Sequence, residues 1–314
     1  MTGLLAVHKH DSRAVDGNTA GPTRHPRGNI MSLCVRFRAG TIPLLFGMAV
    51  STCGAAETQT VDVYILAGQS NAVGYNDVRE YKGDARRFAE RIGNASATMV
   101  WYGSDAAPGR PAGWATLRVP GADAREGMPA APRSFGPEVG FAAAMHERRP
   151  ERRIAIIKYA RGGTGIARSA DYGDIIPELG GFNDAGIHWN PGTDGGKPGT
   201  LYSGLIDTVR AATRALDERE TRHVLAGLLW VQGEHEGGIS PTMAADYGRL
   251  LGEFVAAVRK DLRRDDLPVF IVEINEHSWR FADAARRGQA AFCEADPHAH
   301  LVGSAGLSRS GSGG

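Results

Sequence analysis

The sequence predicts a three-layer α/β/α sandwich with a central parallel sheet. Short apolar, β-branched runs alternate with longer amphipathic stretches, the pattern of strands joined by helical crossovers. The runs are apolar nearly throughout, as strands buried on both faces must be. Several of them end abruptly in glycine-rich or polar turns.

Val61 to Ala67, closed by Gly68, reads as the first buried strand, and Thr98 to Tyr102 as a weaker one. Pro137 suits a first helical position with Glu138 beside it, in a helix reaching about Glu147. Arg153 to Tyr159 is a strand carrying Ile154, Ile156 and Ile157. Tyr202, Leu205, Ile206, Val209, Ala212 and Leu216 then fall on one helical face. His223 to Trp230 is the next strand. A second helical face holds Tyr247, Leu250, Leu251, Phe254, Val258 and Leu262, after a Ser240 cap followed by Pro241. Pro268 to Ile274 is a strand, Phe281 to Glu294 a helix, and Ala299 to Val302 a short last strand. Right-handed crossovers bring the carboxyl ends of such strands to one edge, where open parallel sheets bind ligands.

Two stretches, residues 103–134 and 168–199, lack a regular pattern and hold Trp114, Tyr172, His188 and Trp189. Long ordered loops are often binding loops, although the first also reads as a solvated insertion. Trp114 and Trp189 suit stacking on a sugar, and aromatic rings suit acyl chains equally.

Hydrophobic residues at 42 % and charged residues at 23 % of 314 are the proportions of a globular chain. A net charge of +1 gives no electrostatic case for nucleic acid or an anionic membrane. Residues 1–30 are polar and aperiodic, and read as a disordered or mis-assigned extension. Residues 31–56 have the order of a secretory signal: Arg36 and Arg38, an apolar run from Thr41 to Val50, then Gly54, Ala55 and Ala56. A buried first element is the alternative. The expected location is secreted or periplasmic. Val50-Ser51-Thr52-Cys53 loosely matches a lipoprotein box, with threonine poorly suited before the cysteine, so a lipid anchor is a minor option. Once Cys34 and Cys53 leave with the signal, Cys293 alone remains, which rules out an internal disulfide and suits a small buried apolar role. No Cys/His cluster has zinc spacing. The domain is expected over 57–303, with a Ser/Gly-rich tail over 304–314.

Three turns, each directly after a strand, carry the chemistry. Gly68-Gln69-Ser70-Asn71 places a serine at a strand-to-helix turn, its hydroxyl above the sheet edge and free helix N–H groups beside it. Ser70 as a simple N-cap is the alternative. Arg161-Gly162-Gly163-Thr164-Gly165 leaves backbone amides unshielded for an oxyanion. A plain turn also fits, and a phosphate loop fits poorly without Gly-Lys-Ser/Thr. Gln232-Gly233-Glu234-His235-Glu236 crowds polar groups at the end of an apolar strand. There Glu234 can orient an imidazole and Gln232 can donate to an oxyanion.

Gln69-Ser70-Asn71, Phe135-Gly136-Pro137-Glu138 with Phe141, Gly162-Gly163-Thr164 and Trp230-x-Gln232-Gly233-Glu234, in this order, resemble the sialate O-acetylesterase and acetylxylan esterase branch of the SGNH hydrolase superfamily. The resemblance runs from about Val61 to about Val302. It implies a flavodoxin-like fold without a cofactor or metal, acting on an acetylated carbohydrate. It implies Ser70 as nucleophile, and an oxyanion hole from the Ser70 amide, the Gly163 amide and the Gln232 side chain. It further implies Glu234 as the acidic triad member, with Gln69, Asn71 and Thr164 at the substrate. A non-catalytic carbohydrate-binding relative, or a lipid or short-chain esterase on the same fold, are the alternatives.

The family's base comes from an Asp-x-x-His block after the last strand. Here Val302 is followed by Gly303-Ser304-Ala305-Gly306-Leu307 and a Ser/Gly-rich run without that block. The expectation is therefore a missing C-terminal element and impaired turnover. His235 is the candidate substitute base, although neighbours on an extended strand end point to opposite sides, which sets it apart from Glu234. His298 and His300 begin a strand and belong at the far edge.

Overall fold

The computed structural model describes residues 59–74, 76–77, 98–103, 113–117, 134–176, 186–275 and 279–305. Residues 1–30 and 31–56, read above as an extension and a secretory signal, and residues 306–314 lie outside them.

Strand β1 (Val61–Gly68) leads into the four-residue helix α1 (Ser70–Val73). β2 (Asn76–Asp77) pairs antiparallel with β5 (Ser134–Phe135) in a small separate ladder. β3 (Met99–Tyr102), β4 (Trp114–Thr116), α2 (Pro137–Arg148) and β6 (Arg153–Ala160) follow. Next come α3 (Thr200–Asp217), β7 (His223–Val231), α4 (Glu234–Ile239), α5 (Pro241–Ala245) and α6 (Tyr247–Leu262). β8 (Val269–Val272), α7 (Ala282–Ala295) and β9 (Ala299–Val302) complete the order.

The main sheet has seven strands in the order β4-β3-β6-β1-β7-β8-β9. Only β3 and β4 pair antiparallel; every other pairing is parallel. Beyond the β3–β4 edge, the strands β6-β1-β7-β8-β9 have the flavodoxin-like order 2-1-3-4-5, which reverses at β1. β1 pairs along its length on both sides, and its last residue, Gly68, is level with Ala160 of β6 and Val231 of β7. The three turns that follow these strands therefore start side by side at the switch point.

Strand alternation sends side chains to two cores. One joins Val61, Val63, Ile65 and Ala67 of β1, Ile157, Leu228, Trp230 and Ile271 to the buried faces of α3 and α6 and to Ala282 and Ala285 of α7. The other joins Leu66, Ile154, Ile156 and Val231 to Val139, Ala142 and Ala143 of α2. These are the three layers expected. Ser240 caps α5, its hydroxyl accepting from the Met243 amide at 3.0 Å, with Pro241 in the first turn.

The structure departs from expectation in five places. The stretch after β7 is helical from Glu234, not an extended strand end. β4 lies within the patternless stretch 103–134 and pairs with β3. Ser304, assigned to the tail, is buried, its amide and hydroxyl donating to the Glu273 carboxylate. Trp189 is fully buried and meets Tyr159, Trp230 and Phe254 edge-on at 5.2–6.4 Å, so the loop that carries it supplies core. Trp114 donates its indole N–H to Ala212 O at 2.9 Å and packs edge-on against Trp101. Neither ring is presented for stacking on a ligand. Among the described residues, no helix is long and apolar enough to cross a membrane.

Trp189→Ala is expected to cost about 3–5 kcal/mol in denaturant unfolding, the range for deleting a buried aromatic ring. A loss below about 1 kcal/mol would contradict this placement.

Candidate active site

β1 ends with its backbone pressed against β7. Gly68 has φ +141°, and a Cβ there would stand 2.0 Å from the Val231 carbonyl oxygen, so only glycine fits. The Gln69 amide donates to that same carbonyl at 3.0 Å, and the Arg161 amide donates to Gly68 O at 3.0 Å. The first turn is thus bound to both neighbours by backbone alone. Gln69 occupies the N-cap and Ser70 the first helical position of α1, with no side-chain cap bond, so Ser70 is not acting as a cap. Ser70 is half-buried. Among the described residues, the N–H groups of Ser70 and Gly163 donate no hydrogen bond in the backbone network.

The third turn reaches the other two through side chains. Gln232 is fully buried; its amide N–H groups face Glu236 Oε2 at 2.6 Å, Thr164 O at 3.2 Å and Gln69 Oε1 at 3.3 Å. Its oxygen lies 2.9 Å from the Tyr247 hydroxyl, which also faces Gln232 O at 2.8 Å and accepts from Trp230 Nε1 at 3.1 Å. Gln289 on α7 donates to Gln232 O at 3.1 Å and accepts from the Ile274 amide at 3.1 Å. Glu234 Oε1 accepts from Asn71 Nδ2 at 2.5 Å. The His235 imidazole hydrogen-bonds the Gly163 backbone, and its own amide donates to Gln69 Oε1 at 3.3 Å. Glu236 Oε1 accepts from the amides of Ile166 at 2.5 Å and Ala167 at 3.1 Å.

Ser70, Asn71, Gly163, Gln232, Glu234 and His235 are thus brought to one place, with changed assignments for some. Gln232 has no N–H left to aim at a carbonyl oxygen, because a buried amide must spend its donors on the acceptors around it. Gln69 is buried between Gln232 and the His235 amide. Thr164 is buried, donating to Arg161 O at 2.8 Å and accepting from Trp189 Nε1 at 2.9 Å. The side chains of Gln69 and Thr164 therefore brace the turns. Glu234 and His235 are consecutive residues of a helix, so the strand-based argument for opposite directions does not apply. His298 and His300 flank the start of β9 and so lie at the edge opposite Ser70. Glu236, Tyr247 and Gln289 escaped the sequence reading. The second acidic residue of the Gln-Gly-Glu-His-Glu run was the one available signal; Tyr247 lay on a face read as core, and Gln289 in a helix read without an assigned face.

Burial dominates the electrostatics. It raises the Glu234 carboxyl to about 7, opposed by hydrogen bonds that include Asn71, with the Glu236 charge adding to the rise. Glu234 Oε2 is buried and has no hydrogen-bond partner among the described residues. Burial lowers the His235 imidazole, opposed by the Glu236 charge and the bond to Gly163. No group of three or more His, Cys, Asp or Glu suited to a metal ion occurs among the described residues.

The family model for carbohydrate esterases described as sialic acid-specific acetylesterases matches residues 60–312, the span that includes all three turns. The chain belongs to this carbohydrate esterase family. Among solved structures, a protein from Arabidopsis thaliana is similar at 18% identity and TM-score 0.51, over 79% of this chain and 87% of that one. NanS is similar at 21% identity and TM-score 0.50, over 78% of each chain. At such identities these two likenesses establish the fold. No curated protein matches.

Gly68→Ala sets a methyl group against the Val231 carbonyl and is expected to cost at least about 3 kcal/mol, or to prevent folding; a soluble variant of unchanged stability would contradict the turn geometry. Glu234 has a second signature. Its folded-state pKa lies above the ordinary value of 4.5, so the folded protein holds this proton more tightly than the unfolded chain. The stability it contributes is present below about pH 4.5 and is lost as pH rises toward 7. Glu234→Gln is expected to remove that decline and to gain on the parent above pH 7. A stability difference that stays constant from pH 4 to 8 would count against a buried, titrating Glu234.

Proposed function

We propose that this protein is a carbohydrate O-acetylesterase that works through an acetyl-Ser70 intermediate. The observation that carries the reading is the level ending of three adjacent parallel strands at Gly68, Ala160 and Val231. That register sets a serine at a helix N-terminus beside amides that the backbone network leaves unused. Family membership supports the acetylated sugar as substrate.

The Ser70 oxygen attacks the acetyl carbonyl carbon, and the carbonyl π electrons move onto oxygen. The N–H groups of Ser70 and Gly163 hold that oxyanion, each fixed donor lowering the barrier by about 2.7–4 kcal/mol. Collapse expels the sugar oxygen, which takes up the proton from Ser70. Water then attacks the acetyl ester, releasing acetate and restoring Ser70. The proton transfers require a base. Glu234, with its unpartnered Oε2, is suited to accept an imidazole N–H and to stabilise the charge that forms there. His235 adjoins it, but its ring is bonded to the Gly163 backbone. Burial lowers that imidazole and so weakens it as a base, and we propose slow turnover. The same burial favours a second reading, a carbohydrate-binding relative with little or no hydrolysis.

Acetate release from acetylated sialic acid, acetylated xylan and aryl acetates separates these readings. Measurable hydrolysis is expected, and Ser70→Ala is expected to reduce it to the uncatalysed rate. Release unchanged by Ser70→Ala would refute the acyl-serine route. Sugar binding without release by the parent protein would favour the binding relative. Hydrolysis of aryl acetates with none of either sugar ester would point to a short-chain esterase.

A further inference from the structure

Glu236 is fully buried and is an acceptor on both oxygens. Three N–H donors converge on it: the amides of Ile166 and Ala167 on Oε1, and Gln232 Nε2 on Oε2. Two of them belong to the turn that carries Gly163. The third, Gln232, also donates to Thr164 O in that turn. His235, next in the chain, bonds the Gly163 backbone itself. Residues 163–167 are therefore gripped at Gly163, Thr164, Ile166 and Ala167 from a single stretch, 232–236. We infer that Glu236 is a positioning residue that fixes the direction of the Gly163 amide, and hence the oxyanion site; the catalytic part of this inference rests on the reading of Ser70 and Gly163 given above.

The chemistry calls for a carboxylate at this position. A buried charge is tolerated only when its lone pairs are met by donors, and here three donors meet it. Glutamine has the same shape, but one of its two arms is a donor. Turned toward Gln232, that arm faces another amide NH2; turned toward Ile166 and Ala167, it faces two N–H groups. Flipping the Gln232 amide instead would set its oxygen against Thr164 O. Every arrangement leaves like groups opposed, so Glu236→Gln should loosen the 163–167 turn without emptying the space. Misplacing a catalytic group by about 1 Å can cost on the order of 100-fold in rate.

The test compares the full chain with Glu236→Gln by two readouts. Amide hydrogen exchange across residues 161–168 reports the grip directly, independent of turnover. Steady-state hydrolysis of an aryl acetate reports the oxyanion site. The expected result is exchange at least about 10-fold faster in that segment, with kcat lowered about 10- to 100-fold and KM changed less than about 3-fold. Glu236→Asp keeps the charge but shortens its reach, and serves under the same readouts if the glutamine variant does not fold. Unchanged exchange overturns the inference, as does faster exchange with unchanged kcat. Faster exchange in a protein whose parent form releases no acetate supports the grip and counts instead against the acyl-serine reading.

Discussion

The contact between Gly68 and the Val231 carbonyl sets the geometry of the whole carboxyl edge. Strands in a parallel sheet usually diverge into their connections, but here β1 ends with its backbone against β7, and only a residue without Cβ allows it. The chain must then turn at once, which opens α1 at Ser70. Because β1 lies between β6 and β7, the same closeness lets Gly68 accept from Arg161 while Gln69 donates to Val231. Three connections of very different lengths are thereby forced to begin at a common level.

A second set of bonds then fixes what the backbone brings together. The five residues 232–236 run from the last carbonyl of β7 into a short helix, whose roughly 100° steps fan their side chains toward both other turns. Asn71 and Gln69 are reached on one side, Gly163, Thr164, Ile166 and Ala167 on the other. Such a network costs desolvation of two carboxylates. What it yields is a site whose donors are already oriented, the condition under which fixed dipoles stabilise a developing charge. Tyr247 and Gln289, from α6 and α7, tie this network to the helical layer behind it.

The sequence made the sheet legible because parallel strands buried on both faces must be apolar nearly throughout, as Val61–Ala67 is but for Asp62, and Arg153–Tyr159 but for Arg153 and Lys158. The faces of α3 and α6 were legible by their period; Ser240 and Pro241 were read as opening α6, but they open the separate short helix α5. Other features turned on tertiary context. Glycines and acidic residues gave no helical signal at 234–239, although that segment is a helix pinned by burial. Trp189 looked like a ligand-facing ring because its surroundings in sequence are polar, yet its loop folds back over β7. Gln69 and Thr164 were expected at the substrate and Gln232 at the oxyanion, and their bonds to buried neighbours had no sequence signal. Residue type alone cannot tell a side chain that meets substrate from one that satisfies a buried neighbour.

Reaction with an aryl fluorophosphonate, followed by peptide mass spectrometry, tests the central claim most directly. Phosphonylation needs an activated serine oxygen in register with the oxyanion donors, and reads both without a completed turnover. A single adduct on the peptide bearing Ser70 is the result this account predicts. Adducts scattered over other serines, or none at Ser70 in the folded protein, would contradict it.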